Sequence, residues 1–500
     1  MTKGLMFTLC FLCFVSGCVP VNAQEVRAGQ IVIEPHTFRT YDGSVHSAEL
    51  GKLSVRENRN GNSSRLIQLA FIRLRSTAVH PSAPIVFLAG GLGVPGIGMG
   101  QIPVYFRLFD RLREVSDVIL LGQRGTGMSS PGLQCPAPIM SAPTDVLASE
   151  SKTRQQLGKT IKSCAEHLRS QGIELAAYNI NAVADDVDDL RQALGADKVN
   201  LLGMSFGTQL ALATVRRHGD HLDRVVLAGT QRSDDNLILP STFDLLLKKI
   251  SQLAAQDAAI NKSVTDFASL VEKVLNQFDK NPVTLTVTDR RTKQMVKVTV
   301  GKVALQALLQ GLSDGRAVSS MPAFYYTINQ GDYSLLTRNV EGIYNSLSGS
   351  GNSAMSVAMS CSGGYSPERL ARVQKEAQTS LVGNTINLQL TPDICRLVSN
   401  PDLGSEYQTR LWSTLPTLFL SGTLDGTTPP FQAEEVRWGF PNSVHLIVEN
   451  AGHESLPAIE VQSVIVDFFK GQYVCKQTVS LARPRFVSVE EAKSPPSRPR

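Results

Sequence analysis

Lys198-Val199-Asn200-Leu201-Leu202-Gly203-Met204-Ser205-Phe206-Gly207-Thr208 is the stretch whose reading decides the fold. Four residues rich in apolar side chains read as a buried strand, and the glycine-bracketed serine that follows reads as a sharp turn into a helix. In a G-x-S-x-G of this kind, glycines two before and two after the serine let the backbone turn tightly. The serine hydroxyl then projects from the end of the strand. Gly203 and Gly207 take the structural places, Ser205 that of the nucleophile, and the Phe206 N–H that of an oxyanion donor at a helix N-terminus. The same residues also fit a plain strand-to-helix turn carrying a solvated serine, so the rest of the chain has to supply partners.

Working outward, Pro84-Ile85-Val86-Phe87-Leu88-Ala89 and Asp117-Val118-Ile119-Leu120-Leu121 precede the stretch. Arg224-Val225-Val226-Leu227-Ala228, Thr417-Leu418-Phe419-Leu420 and Val444-His445-Leu446-Ile447-Val448 follow it. Short, continuously apolar runs mark strands covered on both faces. Helical patterns alternate with them, as over Ala182 to Leu194, whose first turns are acidic and which stops at Gly195. The expectation is an α/β fold with a mostly parallel central sheet and helical crossovers. Residues 25–80 alternate apolar and polar, as antiparallel strands do. The sheet pattern lapses between Asp234 and Pro401, so the core divides into residues 25–234 and 401–470 around a cap insertion over 235–400. Within the insertion, Phe243 to Phe278 and Val303 to Leu312 read as helical, Val283 to Val300 as a hairpin, and Ser348 to Ser353 as a flexible turn. A cap placed over the carboxyl ends of the strands covers the position where ligands sit in open α/β sheets, and an independent second domain with no contact to the site is the alternative reading of the insertion.

Glycine-rich and polar loops fall at those strand ends. Gly90-Gly91-Leu92-Gly93 follows the first buried strand. It lacks the Lys-Ser/Thr ending of a phosphate loop and the acid spacing of a dinucleotide site, so Gly91 and Leu92 read as further oxyanion donors. Gln123-Arg124-Gly125-Thr126-Gly127 follows the second, where Arg124 fits a functional cation but reads better as a buried structural arginine fixing the loops. Asp425, in Ser421-Gly422-Thr423-Leu424-Asp425-Gly426, and His453, in Asn450-Ala451-Gly452-His453-Glu454, each follow a late strand. The order Ser205, Asp425, His453 is that of the α/β-hydrolases. Taken singly, Asp425 fits a turn aspartate and His453 a surface histidine.

Gly90-Gly91-Leu92-Gly93, the Gln123-to-Pro131 stretch, Gly203-to-Thr208 and the Asp425 and His453 loops together resemble the prolyl and tripeptidyl aminopeptidase family of α/β-hydrolases. The resemblance spans about Pro84 to Ala228 and Pro416 to Phe469. It implies an α/β-hydrolase fold and a serine peptidase that releases residues or short peptides from the amino end of its substrate. Ser205 would be the nucleophile, His453 the base and Asp425 its orienting acid. The family's loop usually begins with His or Asn-Pro and carries proline where Leu92 stands. The acid the family places shortly after Cys361 is replaced here by Ser362-Gly363-Gly364, and no cap acid can be assigned to hold a substrate amine. A carboxylesterase or other acyl hydrolase with the same triad is the second reading, and a binding protein without turnover the third. A cap pocket lined by apolar groups would favour the esterase, and a carboxylate facing Ser205 the peptidase.

The first 23 residues read as an export signal: Lys3, an apolar run from Leu5 to Val15, and small residues before Gln24. Cleavage after Ala23 competes with a lipobox reading of Val15-Ser16-Gly17-Cys18, which would tether the protein to a membrane through Cys18. Either way the protein is expected outside the cytoplasm, periplasmic or secreted. Of the cysteines beyond the signal, sequence order pairs Cys135 with Cys164 and Cys361 with Cys395 and leaves Cys475 over. Their spacing offers no zinc pattern, and neither metal nor cofactor is expected. The formal net charge is +5, yet residues 470–500 carry seven Lys/Arg against two Glu, so the body is neutral. A neutral body excludes the electrostatic footprint of a nucleic-acid binder. The tail from 471 to 500 reads as a basic disordered extension. The expected partner is a short peptide or small acyl substrate, with the oligomeric state left open.

Overall fold

The computed structural model describes residues 27–61, 64–91, 93–136, 141–313, 315–347, 353–398 and 402–493. The leader with Cys18, the oxyanion candidate Leu92 and residues 348–352 of the expected turn lie outside the described residues.

The strands are β1 (Ile31–Arg39), β2 (Val45–Arg56), β3 (Leu66–Leu74), β4 (Ile85–Leu88), β5 (Val118–Leu121), β6 (Val199–Met204), β7 (Leu222–Ala228), β8 (Val283–Thr288), β9 (Met295–Val300), β10 (Thr417–Gly422), β11 (Ser443–Glu449) and β12 (Thr478–Ser480). Among the described residues they form one large sheet ordered β1-β2-β3-β5-β4-β6-β7-β10-β11-β12 and a separate β8-β9 hairpin. The joins from β1 to β5 are antiparallel and those from β5 through β4 to β12 are parallel. This is the α/β-hydrolase fold the sequence pattern predicts.

The continuous apolar runs are explained by two-sided burial. Val86 and Leu88 of β4 face one core with Leu201, Val187 and Leu210, while Ile85 and Phe87 face the other with Phe106, Phe109 and Ile465. Helices Ile180–Ala193 and Phe206–His218 cover the first face, and Pro103–Leu112 and Ile459–Phe469 the second. β4 is bonded to β5 on one side and β6 on the other. The strand order therefore reverses at β4, and the loops after β4 and β6 open into the same crevice.

Between β7 and β10 the chain builds a helical layer around the β8-β9 hairpin, with its own apolar core. Phe243, Ile250, Val274, Phe278, Val298 and Tyr325 are among its buried members. Besides Leu424 on the loop after β10, two longer segments from outside the expected 235–400 boundary join this core. Ala142, Val146 and Leu147 pack into it, and the Gly301 N–H donates to the Leu147 carbonyl at 2.8 Å, extending the hairpin by a short parallel stretch.

The other segment corrects the reading of the tail. Through Lys493 it is laid down on the molecule: β12 pairs with the edge of β11, Phe486 is buried in the insertion's core, and Lys493 Nζ meets Asp332 Oδ2 at 2.9 Å. Composition misread it because Val479 and Phe486 are isolated apolar anchors in a basic, proline-bearing stretch, with no period to announce them. Disulfides join Cys135 to Cys164 and Cys361 to Cys395, and Cys475 is free and exposed, as sequence order predicts. Among the described residues no helix is long and apolar enough to cross a membrane.

Candidate active site

Ser205 sits at the turn between β6 and the helix Phe206–His218, with φ 50° and ψ −123°. A non-glycine residue at positive φ is strained, and the surroundings must over-determine it. They do so through the backbone: the Ser205 N–H donates to the Ala228 carbonyl at 2.8 Å, and the Ser205 carbonyl accepts from the Thr208 N–H at 2.8 Å and the Thr208 hydroxyl at 2.6 Å. The flanking glycines are required by contact. A Cβ on Gly207 would lie 2.0 Å from the Leu88 carbonyl oxygen, and one on Gly203 would lie 2.7 Å from that of Gly207. The helix can therefore press against β4 and β6 only with both side chains missing.

His453 lies between the serine and Asp425. Its Nε2 is 2.7 Å from Ser205 Oγ and its Nδ1 is 2.8 Å from Asp425 Oδ2. The carboxylate is saturated on both oxygens: Oδ1 accepts the N–H groups of Thr427 and Thr428 at 2.8 and 2.9 Å, and Oδ2 accepts the Thr428 hydroxyl at 2.6 Å as well as the imidazole. Burial pushes the Asp425 pKa up, but the facing His453 and these donors outweigh it and hold the carboxyl below 3.8. Burial likewise pulls His453 down, and the charge and hydrogen bond of Asp425 overcome it, leaving the imidazole above 6.5. The pair is thus an ionised acid that orients a base whose free nitrogen faces a hydroxyl.

Phe206 is the first residue of the helix, so its N–H has no helical carbonyl behind it to bond. Gly91, at φ 75°, lines one cavity together with Ser205 and Phe206. The backbone of Gly90 is pressed so close that a Cβ there would meet Ser205 Cβ and the Met204 carbonyl at 2.9 Å. The structure thus gathers every described site candidate except Arg124 at one place. Arg124 is fully buried behind the loops, donating to Asp186 Oδ1 and Oδ2 at 2.7 Å each and to the carbonyls of Ala177 and Glu57 at 2.7 and 2.8 Å.

The cavity measures about 490 Å³ and is roofed by the insertion. Leu308, Ile343, Val357 and Leu390 line it with Ile238 and Leu157, and its polar groups are neutral amides and hydroxyls, among them Gln231, Asn236, Gln310 and Ser360. Among the described residues no carboxylate and no cationic side chain lines it. The sequence does not single out Thr428, which braces both Asp425 and His453, or the insertion's contribution. The Asp425-Gly426-Thr427-Thr428 spacing, an acid whose own backbone folds back onto it, is the signal that could have found Thr428. Among the described residues, Asp188, His218 and His221 bring potential metal-ligand atoms within 4.8 Å of one another at the far end of the Ser205 helix, and Arg191 and Gln192 already bind that aspartate at 2.7 Å.

Residues 83–457 match the model of the α/β hydrolase fold family. The chain is similar along most of its length to the putative hydrolase YuaR of Escherichia coli, at 24% identity over 90% of this chain and 91% of that protein. It is similar over a shorter stretch to the serine protease Hip1 of Mycobacterium tuberculosis, at 27% identity over 36% of this chain and 35% of that protein. A tripeptidyl aminopeptidase of Streptomyces coelicolor is also 27% identical, over 35% of this chain and 32% of its own length.

Proposed function

The chain belongs to the α/β-hydrolase fold family, and on that premise we propose that it is an exported serine hydrolase working through an acyl-enzyme on Ser205. The observation that carries the reading is the hydrogen-bonded chain from Ser205 Oγ through His453 to Asp425. His453 Nε2 takes the hydroxyl proton as Oγ attacks a substrate carbonyl, and Asp425 stabilises the imidazolium without taking its proton. The N–H groups of Phe206 and the Gly91-Leu92 segment receive the oxyanion, with the helix dipole favouring negative charge there. The imidazolium then protonates the leaving group. Water, deprotonated by the same histidine, releases the acyl group and restores the serine.

For the substrate, the leading reading is a short peptide cleaved from its amino end, supported by the similarity to proteins named as a serine protease and a tripeptidyl aminopeptidase. A second reading, an ester or other acyl compound, is favoured by the neutral lining of the cavity, which offers no carboxylate among the described residues to a free amine. Export is supported by the two disulfides, which persist in oxidising compartments. The test is turnover on amino-terminally free and blocked peptidyl amides against simple acyl esters, with Ser205→Ala as control. Amide cleavage lost on blocking the amine supports the aminopeptidase, and ester cleavage alone supports the esterase. Turnover that persists in Ser205→Ala refutes the assignment of the nucleophile.

A further inference from the structure

The loops that carry Asp425 and His453 emerge from the core sheet, but their outer sides are gripped by the insertion. Ser313 Oγ accepts the Gly426 N–H and the Thr427 hydroxyl, each at 3.1 Å, and the Ser313 carbonyl accepts the His453 N–H at 2.8 Å. One insertion residue thus holds both the acid loop and the histidine loop. From the neighbouring helix Pro240–Gln256, the Thr242 hydroxyl donates to the Gly426 carbonyl at 2.6 Å, sharing its proton with the Leu239 carbonyl at 2.7 Å, and Lys249 Nζ reaches the Thr423 carbonyl at 3.2 Å. Gly426 is therefore bound on both sides of its residue by the insertion. It is also packed against it, since a Cβ there would meet Leu246 Cδ2 at 3.0 Å and Ser313 Oγ at 3.3 Å. Thr242 and Ser313 are both buried, so these bonds do not compete with bulk water.

We infer that the insertion is part of the catalytic machinery, with Ser313 and Thr242 as positioning residues for Asp425 and His453. This rests on the acyl-transfer reading above. The mechanical path is short. Ser313 holds Gly426 and Thr427, and the Thr427 N–H in turn donates to Asp425 Oδ1, whose other oxygen orients the imidazole. Thr427 also lines the substrate cavity, so an occupant touches the same link. Releasing the grip lets the acid loop drift from His453, and catalysis is steep in such displacements: about 1 Å can cost about 100-fold.

The experiment measures the rate at which a fluorophosphonate probe labels Ser205 in the full chain, as a function of pH and normalised to folded protein. This readout does not depend on knowing the natural substrate. Ser313→Ala removes the hydroxyl and keeps the carbonyl that receives His453, and Thr242→Val keeps the shape and removes the donor. Each is expected to slow labelling about 2- to 10-fold, the worth of one neutral hydrogen bond, and the double variant about 10-fold or more. The acid limb of the pH profile is expected to move to lower pH, because a loosened Asp425 supports the imidazolium less. Thr242→Ser, which keeps the donor, should recover most of the rate.

A purely structural role would lower the melting temperature and leave the normalised rate and the pH limb in place. Labelling of the double variant within about twofold of wild type, with an unmoved limb, overturns the inference. If Ser313→Ala or the double variant does not fold, the comparison of Thr242→Val with Thr242→Ser decides: equal normalised rates and limbs overturn the inference, and a slower Val variant supports it. Absence of Ser205 labelling in the wild type instead overturns the serine-hydrolase reading itself.

Discussion

Replacing Asp425 by asparagine tests the chemistry at its most constrained point. Oδ1 receives two backbone N–H groups at 2.8 and 2.9 Å, so the amide oxygen of an asparagine must take that place and its NH₂ must face His453 Nδ1, 2.8 Å away. An NH₂ there forces Nδ1 to accept. The ring proton moves to Nε2, which lies 2.7 Å from Ser205 Oγ and can then no longer take the serine proton. By analogy with serine proteases, the wrong tautomer costs about 10⁴ in turnover, or about 5.4 kcal/mol of transition-state stabilisation. The pH profile should move as well. His453 is useful as a base only when neutral, and because the facing Asp425 outweighs burial and raises its pKa, the acid limb of the wild-type profile lies higher than that of a free imidazole. In Asp425→Asn the larger raising charge is gone, and burial, the largest single influence, still disfavours the imidazolium against the smaller pull of Glu454, so the limb moves down. The assay is fluorophosphonate labelling alongside hydrolysis of an activated ester across neutral pH, with circular dichroism to establish the fold. A loss of less than about tenfold, or a limb that stays in place, would mean that Asp425 does not set the state of His453.

Three further outcomes follow from packing and charge. Gly207→Ala should cost about 3 kcal/mol or more in chemical denaturation, because its methyl would sit 2.0 Å from a backbone oxygen, whereas Gly219→Ala, with nothing within 4 Å and a right-handed helical backbone, should be neutral or stabilising by about 0.4–1 kcal/mol. Arg124→Met should lose about 3–5 kcal/mol by the same measurement, since it strands part of Asp186 and the carbonyls of Glu57 and Ala177, and Arg124→Lys should fail to restore it because one ammonium cannot reproduce the fork. Asp185 is pushed up by burial but held lower, at about 2, by His218 and Arg217, so its contribution to stability is present above pH 3.8 and is lost as pH falls toward about 2; acid unfolding should therefore be less steep in Asp185→Asn than in wild type.

Much of this molecule can be read from neighbours in the chain, because the features concerned are local. An apolar run such as Val118-Ile119-Leu120-Leu121 reports two-sided burial by itself, and a serine between glycines two residues away on each side reports the turn that only missing side chains permit. Asp425 and His453 were legible for a related reason: each follows a recognisable strand, and parallel strands deliver their following loops to one edge of the sheet. By contrast, Phe486 looks like part of a basic tail until the insertion's core exists to bury it, and Ser313 looks like any turn serine until its neighbours arrive from the other end of the chain. The sequence alone determined the sheet, the elbow and the order of the three reacting groups, since strand burial and turn sterics act within a few residues. The tertiary structure alone decided the neutral lining of the cavity, the brace of Thr428 and the grip of Thr242 and Ser313 on the acid loop. Those depend on side chains from distant segments meeting in three dimensions, and no periodicity along the chain encodes such a meeting.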